Sequence, residues 1–490
     1  MEKKKRSLNT YEILLIVLVA VAIISMFVSG KTYTNADGKT AKVVAAISAD
    51  TGIGTIMMAP IKGFLDAGQV IGFVFCIGAF LALVNATGAL ETGINNLVKK
   101  MHGKETLLIP VLMFIFSVGG TTYGMCEESV GFYIILAATM LAAGMDPMVG
   151  AATVCLGAGI GCLGSTINPF ATGAAIDASN AAFKLQGIDA HVNTGTVYLM
   201  GLILWLGCYV ISTWFVVRYA KKVIAGKGSI LTQAQLAECQ EAYGNKSDEV
   251  VPLTGRQKAV LWIFGLSFVV MIMGFVPWAS IHCEGFYNAL GWTKYLTGAQ
   301  LGDWYFNEGG TWFVLMGIII GIIGIDDKSK FPEIIVSGMS DMIGVNLVIA
   351  LARATTVLLA STGMGSWFVE ASVKGLTQSH MNAGVFGFLD YILHVGLSFL
   401  VPSSSGLAGL SCPIVSPIVH KMGWSVETSI MINVAANGFV NLFTPTAGAM
   451  MGGLALARVP YATWLKFVKG LLAIIFVFVA AVLVIGMLVF

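Results

Sequence analysis

The sequence predicts an all-α membrane protein built from two inverted repeats. Three observations carry that expectation: an apolar composition, a series of membrane-length apolar runs with cations gathered at alternate ends, and four stretches where apolar sequence is interrupted by Gly, Pro, Ser, Thr and Asn. Of the 490 residues, 57% are hydrophobic and 11% charged, against about 25% charged in soluble domains. Mean hydropathy is +0.83, so lipid is the expected solvent for most of the chain. The net charge is +2 and the basic residues form no stripe, which excludes a nucleic-acid partner. Eight Cys, at positions 76, 126, 155, 162, 208, 239, 283 and 412, lie mostly in apolar segments without paired spacing. They read as small packing residues, not as a disulfide framework or a zinc site, and nothing in the pattern calls for a cofactor.

The opening stretch, MEKKKRSLNTYEILLIVLVAVAIISMFVSG, has a basic start and an apolar run without a small-residue cleavage site, which reads as a retained first span. Further runs long enough to cross about 30 Å of hydrocarbon fall near 69–88, 195–219, 257–277, 310–325, 342–360 and 463–490, with the first near 11–29. Between them lie 105–146, 148–185, 384–420 and 425–457, each apolar but broken midway. Non-helical backbone at membrane depth is tolerated only where protein or a water-filled cavity satisfies its polar groups. We therefore expect re-entrant hairpins at 105–146 and 384–420, and broken spans at 148–185 and 425–457.

Cations near span ends set the orientation. Lys3, Lys4, Lys5 and Arg6 place the N-terminus in the cytoplasm. Alternation then gathers Lys99, Lys100 and Lys104, Arg218, Lys221, Lys222 and Lys227, Lys328 and Lys330, and Arg458, Lys466 and Lys469 on that same side, provided both hairpins turn back without crossing. This gives nine crossings in the inner membrane. The expected organisation is a first repeat over 1–219, a cytoplasmic loop over 220–256, an extra span and external loop over 257–309, and a second repeat over 310–490. A shift of 275 residues superposes Gly63 on Gly338, Asp66 on Asp341, Thr87 and Gly88 on Thr362 and Gly363, Val98 and Lys99 on Val373 and Lys374, and Gly173 and Ala174 on Gly448 and Ala449. An odd number of crossings separates equivalent elements, so the repeats are expected to be inverted, as in alternating-access carriers.

Four short stretches are expected to meet near the midplane. They are 119–129 (GGTTYGMCEES), 164–173 (GSTINPFATG), 402–406 (PSSSG) and the pair Asn437-Gly438 with 441–448 (NLFTPTAG). Broken helices free backbone carbonyls that ligate cations and N-termini that attract carboxylates, while hydroxyls and amides add neutral ligands. The candidate substrate ligands are Thr121, Thr122, Tyr123, Glu127, Glu128, Ser165, Thr166, Asn168, Ser403, Ser404, Ser405, Asn437, Asn441, Thr444 and Thr446. Na⁺ is a further candidate near Asn168, Gly173, Asn441 and Gly448. An isolated Gly reads instead as a small residue that lets helices pack closely.

Glu127 and Glu128 are the sharpest feature, because a carboxylate at bilayer depth costs at least about 2.5 kcal/mol. Two together favour a cationic group such as a guanidinium, an ammonium, Na⁺ or a proton, and disfavour a dicarboxylate unless the site protonates first. The bland alternative is a cap on the helix starting near Ser129. Arg353 reads as a counter-ion or a snorkelling side chain, and Asp390 with His394, four apart, as a structural pair or a proton relay. Asp177 follows the first break.

On these motifs the sequence resembles the YfcC family of the C4-dicarboxylate anaerobic carrier (DcuC-like) group, within the ion transporter superfamily of elevator-type carriers. The resemblance spans nearly the whole chain. It implies a scaffold part from the early spans of each half, a transport part holding hairpins and broken spans, and contacts from Ser165, Thr166, Asn168, Thr444 and Thr446 to substrate or Na⁺. Members of the group are associated with dicarboxylates, peptides, and arginine exchanged for ornithine. The Ser-Asn-Thr motif of the superfamily's dicarboxylate/sodium symporters is replaced here by Ser-Thr-Ile-Asn and Thr-Pro-Thr. The expected function is secondary transport of a small basic amino acid, with arginine/ornithine exchange leading and a sodium- or proton-coupled C4-dicarboxylate carrier as the rival. A channel gains nothing from two opposed hairpins. An enzyme is disfavoured, since neither His-Glu-x-x-His nor Gly-x-Ser-x-Gly occurs. Analogy with elevator carriers suggests a homodimer in the bilayer.

Overall fold

The structure, a computed structural model, describes residues 10–34, 39–49, 52–101, 104–243, 252–279, 283–377 and 381–490. The cations Lys3 to Arg6 lie outside them. Helix α1 (Thr10–Val28) leads into a small antiparallel hairpin, β1 (Thr32–Thr34) with β2 (Thr40–Lys42), which the all-α expectation did not include. The first half continues with α2 (Gly54–Asp66), α3 (Gly68–Ala86), α4 (Ala89–Met101), α5 (Leu108–Tyr123), α6 (Phe132–Ala142), α7 (Pro147–Leu163), α8 (Ala174–Leu185) and α9 (Thr194–Ile224). A middle section holds α10 (Gln233–Tyr243), α11 (Gly255–Phe275), the short α12 (Glu284–Ala289) and α13 (Lys294–Thr297), and α14 (Phe306–Gly324). The second half comprises α15 (Phe331–Asp341), α16 (Ile343–Thr362), α17 (Met364–Thr377), α18 (Ala383–Leu400), α19 (Ser404–Lys421), α20 (Val426–Asn441), α21 (Gly448–Leu456) and α22 (Tyr461–Val489).

Among the described residues, nine helices are long and apolar enough to cross a membrane. Seven coincide with the continuous spans expected from sequence. The other two are first arms of the hairpins, Glu105–Tyr123 and Ala383–Leu400, so each arm has the length to traverse hydrocarbon that a shallow re-entrant turn would not need. The 220–256 stretch is not simply a loop. Helix α9 runs on to Ile224, and α10 forms within the stretch and packs on α6.

The two halves carry the same elements in the same order, and their partners cross over. Helix α2 packs on α16 while α3 packs on α15, and α6 meets α21 while α8 meets α19. The α2–α16 and α3–α15 approaches are backbone to backbone. A Cβ on Gly63 would lie 2.5 Å from the Ala350 carbonyl oxygen, and one on Gly338 would lie 2.4 Å from that of Gly78. Asn346 donates to the Ile71 carbonyl at 3.4 Å, and those two positions are 275 apart. At the centre, α7 and α20 are buried along nearly their whole lengths and pack on each other.

Candidate functional site

Each of the four interruptions has a local cause. Helix α5 stops at Tyr123 because Gly124 adopts a left-handed φ of 82°, its N–H closing back on Gly120, a conformation open to glycine at no steric cost. The chain then passes through Met125, Cys126 and one turn, Glu127–Ser129, before α6. Helix α7 ends at Leu163, followed by Gly164, and Pro169 opens the next turn with Asn168 as its cap. The Asn168 Oδ1 accepts from the N–H groups of Phe170 at 2.9 Å and Ala171 at 3.2 Å, while its Nδ2 donates to Ser165 Oγ at 2.9 Å. In the second half α18 ends at Leu400 and Ser403 caps α19 through the Gly406 N–H. Helix α20 ends at Asn441, and α21 restarts at Gly448.

Hydrogen bonds then tie each tip to its break. The Thr166 N–H donates to Thr121 O at 2.9 Å and Thr121 Oγ1 to Gly164 O at 2.7 Å. On the other side Asn437 Nδ2 donates to Val401 O and Pro402 O at 3.2 Å, and Asn441 Nδ2 donates to Pro402 O at 2.9 Å. Thr446 Oγ1 donates to Phe399 O at 3.2 Å and lies 2.8 Å from Thr444 Oγ1.

The four interruptions border one cavity of about 190 Å³, closed on its other side by Val70 of α3, Phe306 of α14, and Ile349, Ala352, Arg353 and Thr356 of α16. Of the sequence-selected residues, Tyr123, Glu127, Glu128, Asn168, Ser403, Ser404, Ser405, Asn437, Asn441 and Thr446 border it, as does Gly448. Thr121, Thr122, Ser165, Thr166, Thr444 and Gly173 do not. Thr121 and Thr166 bond to each other's segments, and the Thr122 hydroxyl turns back to Val118 O. Asp390 and His394 also lie elsewhere. His394 Nδ1 is 3.0 Å from Asp390 Oδ1 and its Nε2 is 2.6 Å from Ser411 Oγ, all three residues being buried. Asp177, in the first turn of α8, does not border the cavity either.

Glu128 is 3% exposed and accepts the Cys126 N–H at 3.1 Å, closing its own turn; it does not cap α6. Across the cavity Arg353 forms an ion pair with Asp66 at 3.2 Å. Two acids and a base therefore share one space. Tyr123 Oη and Asn441 Oδ1 are buried without a hydrogen-bond partner among the described residues, so each has bonding capacity to offer a solute. Tyr123 stacks on Phe275 with centroids 5.4 Å apart, and Phe170 stacks on Phe306 at 5.7 Å. Among the described residues no group of three or more His, Cys, Asp or Glu side chains is placed to hold a metal ion.

Sequence reasoning missed three features. Arg353 belongs to the cavity wall, a role signalled only by a charge inside an apolar span. The aromatic rings of Phe170 and Phe306 carry no periodic signal. Cys126 and Cys162, read as packing residues, bring their sulfurs to 3.4 Å at the cavity edge.

The sequence profile of the C4-dicarboxylate anaerobic carriers matches residues 8–488. A protein of Haemophilus influenzae whose function is uncharacterised is 30% identical over 420 residues, covering 85% of this chain and 75% of the relative. The YfcC protein of Escherichia coli (strain K12), named provisionally as a basic amino acid antiporter, is 26% identical over 432 residues, covering 85% and 77%. Among solved structures, the MtrF transporter of Neisseria gonorrhoeae, described with a class of antimetabolite efflux pumps, aligns over 99% of this chain and 96% of its own, with 16% identity and a TM-score of 0.50. That likeness is one of fold. The YdaH transporter of Alcanivorax borkumensis aligns over 98% of both chains with 14% identity and a TM-score of 0.49.

Proposed function

Starting from the fact that the chain belongs to the C4-dicarboxylate anaerobic carrier family and is a multi-pass membrane transporter, not an enzyme, we propose that it exchanges basic amino acids, arginine against ornithine, across the inner membrane. The observation that carries this reading is the pairing of Glu127 and Glu128 on one side of the cavity with Arg353 on the other. A basic amino acid has two cationic groups and one carboxylate. Its guanidinium or side-chain ammonium meets the Glu pair, with the faces of Phe170 and Phe306 as neighbours suited to a cation. Its carboxylate meets Arg353, and the free Tyr123 hydroxyl and Asn441 carbonyl take the remaining polar groups. The name of the Escherichia coli relative points the same way.

In this reading the two halves are inverted repeats, the N-terminus is cytoplasmic, and hairpins and broken spans move as one body against the early spans. Exchange follows from charge. With Arg353 on the fixed side and paired with Asp66, the moving body carries the Glu127–Glu128 pair uncompensated when empty, which is costly to take past lipid, whereas a bound cation offsets part of that charge. A second reading, C4-dicarboxylate transport, is favoured by the family's description and by the cation Arg353 in the wall.

Thermal melting of the purified protein with arginine, ornithine, succinate and malate separates the two, since a ligand of the folded state raises its apparent stability. We expect a shift with arginine and ornithine only. In proteoliposomes Glu128→Gln should abolish arginine counterflow while the protein remains monodisperse. Normal counterflow by both Glu127→Gln and Glu128→Gln would overturn the proposal.

A further inference from the structure

A second cavity, unrelated to the transport site, lies where the C-terminal end of α9 packs beside the N-terminal end of α22, and five cations line it: Arg218, Lys221, Lys222, Lys227 and Lys466. Cations at the end of a span are expected from topology alone. Three features set this cluster apart. First, it converges on a basin of about 880 Å³ with no carboxylate in its lining among the described residues. Asp146, bonded to two residues of the lining, is itself buried, with its carboxylate taken up by the Tyr219 and Ser229 hydroxyls.

Second, that same acid builds the site. With Asp146 holding Tyr219 and Ser229 together, the Ile230 N–H donates to Tyr219 Oη at 3.0 Å and the Leu231 N–H to Ser229 Oγ at 3.0 Å. The chain after α9 is thereby folded back over the helix end, which puts Lys227 in the same basin as Lys466. Third, the basin has an aromatic wall. Trp214 is 55% exposed and carries the Arg218 guanidinium over its ring at 5.3 Å, in the arrangement used where a side chain has one apolar and one wet end. Both helices are longer than a hydrocarbon core requires, at 31 and 29 residues, since about 20 suffice. Their cationic ends therefore emerge at headgroup depth.

We propose that this basin binds the headgroup of an anionic phospholipid, with the cations on the phosphates and Trp214 and Phe215 against the glycerol and upper acyl region. Five cations exceed what one phosphate can pair with, so a diphosphatidyl lipid such as cardiolipin is preferred over phosphatidylglycerol.

Native mass spectrometry of the full chain titrated with cardiolipin, phosphatidylglycerol and phosphatidylethanolamine tests this. Cardiolipin should remain bound best and phosphatidylethanolamine least. The fourfold variant Lys221→Gln, Lys222→Gln, Lys227→Gln, Lys466→Gln should weaken cardiolipin retention at least tenfold. A control of equal charge, Lys100→Gln, Lys104→Gln, Lys258→Gln, Lys330→Gln, should keep it. Lipid-free melting temperatures of the two variants establish that both fold, and Trp214→Ala, which leaves every charge in place, should also weaken retention. Equal cardiolipin retention by the fourfold variant and its control overturns the site. A thermal shift with pyrophosphate as large as that with cardiolipin overturns the lipid as its occupant.

Discussion

Among the described residues that line the candidate site, Arg353 is the one cation. Its guanidinium faces Asp66 on one side and the cavity holding Glu127 and Glu128 on the other. If it receives a carboxylate, its removal should discriminate between ligands that have one and ligands that lack it. Arg353→Gln should weaken arginine binding tenfold or more, a factor of ten being about 1.4 kcal/mol. Binding of agmatine, which is arginine without its carboxylate, should be unchanged. Calorimetry of both ligands on both proteins reads this directly, and equal losses for the two would remove Arg353 from carboxylate recognition. The residues that tie the tips together make a different prediction. Thr121 donates to Gly164 O and does not border the cavity. Thr121→Val should therefore lower the melting temperature, because it strands a buried carbonyl, with little change in ligand selectivity.

Helices meet in this molecule through glycine, and the cost of a methyl group varies with the distance to the next backbone. A Cβ on Gly161 would lie 2.2 Å from Ser117 O, whereas one on Gly470, inside α22, has nothing within 4 Å. Gly161→Ala should destabilise by about 1–3 kcal/mol through overpacking between α5 and α7. Gly470→Ala should be neutral or gain up to about 1 kcal/mol from helix propensity. Melting of the two variants in detergent checks both signs. The amphipathic α17, outside the candidate spans, is held to β1 by Glu370. That carboxylate accepts the Thr34 N–H at 2.6 Å and the Thr34 hydroxyl at 2.9 Å, and pairs with Lys374. Burial opposes its charge, but these partners outweigh it and hold the carboxyl below its ordinary value of 4.5. A depressed folded value means the contribution is complete above pH 4.5 and fades as pH falls through the lower folded value. Glu370→Gln should thus melt earlier than the parent at pH 7, with the difference closing in acid below 4.5. Spans such as the one read at 342–360, which the structure places at Ile343–Thr362, were legible to within two residues because hydropathy and Gly punctuation are local properties. The tip-to-break bonds, the Cys126–Cys162 approach and the place of Arg353 were not, because each depends on which turn of one helix faces which turn of another. The β1–β2 hairpin escaped notice because three-residue strands leave no alternating pattern long enough to read.

At the scale of the whole molecule, the cavity wall divides between two sets of elements. Hairpins and broken spans contribute the Glu pair and the amides, while α3, α14 and α16 contribute Phe306 and Arg353. Carriers that move one body past another must break contacts across such a boundary in every cycle, while contacts inside each body persist. In the elevator reading that boundary runs between α16 and α21, where a Cβ on Gly448 would lie 2.5 Å from Ile349 Cγ1. Inside the hairpin body, Ser179 of α8 and Ser416 of α19 bring their hydroxyls to 2.8 Å. In a background cleared of its eight cysteines, the pair Ile349→Cys with Gly448→Cys spans the boundary, and replacing Ile349 removes the carbon that would crowd the new side chain. Oxidative closure of that pair should stop arginine counterflow, and reduction should restore it. Closure of Ser179→Cys with Ser416→Cys should leave counterflow intact if, as the elevator reading has it, these elements travel together. Counterflow that persists with the boundary pair fully cross-linked would mean that α16 and α21 do not separate during transport. The elevator reading, and the division into moving and fixed parts that it rests on, would then fail even if the basic amino acid proved to be the substrate.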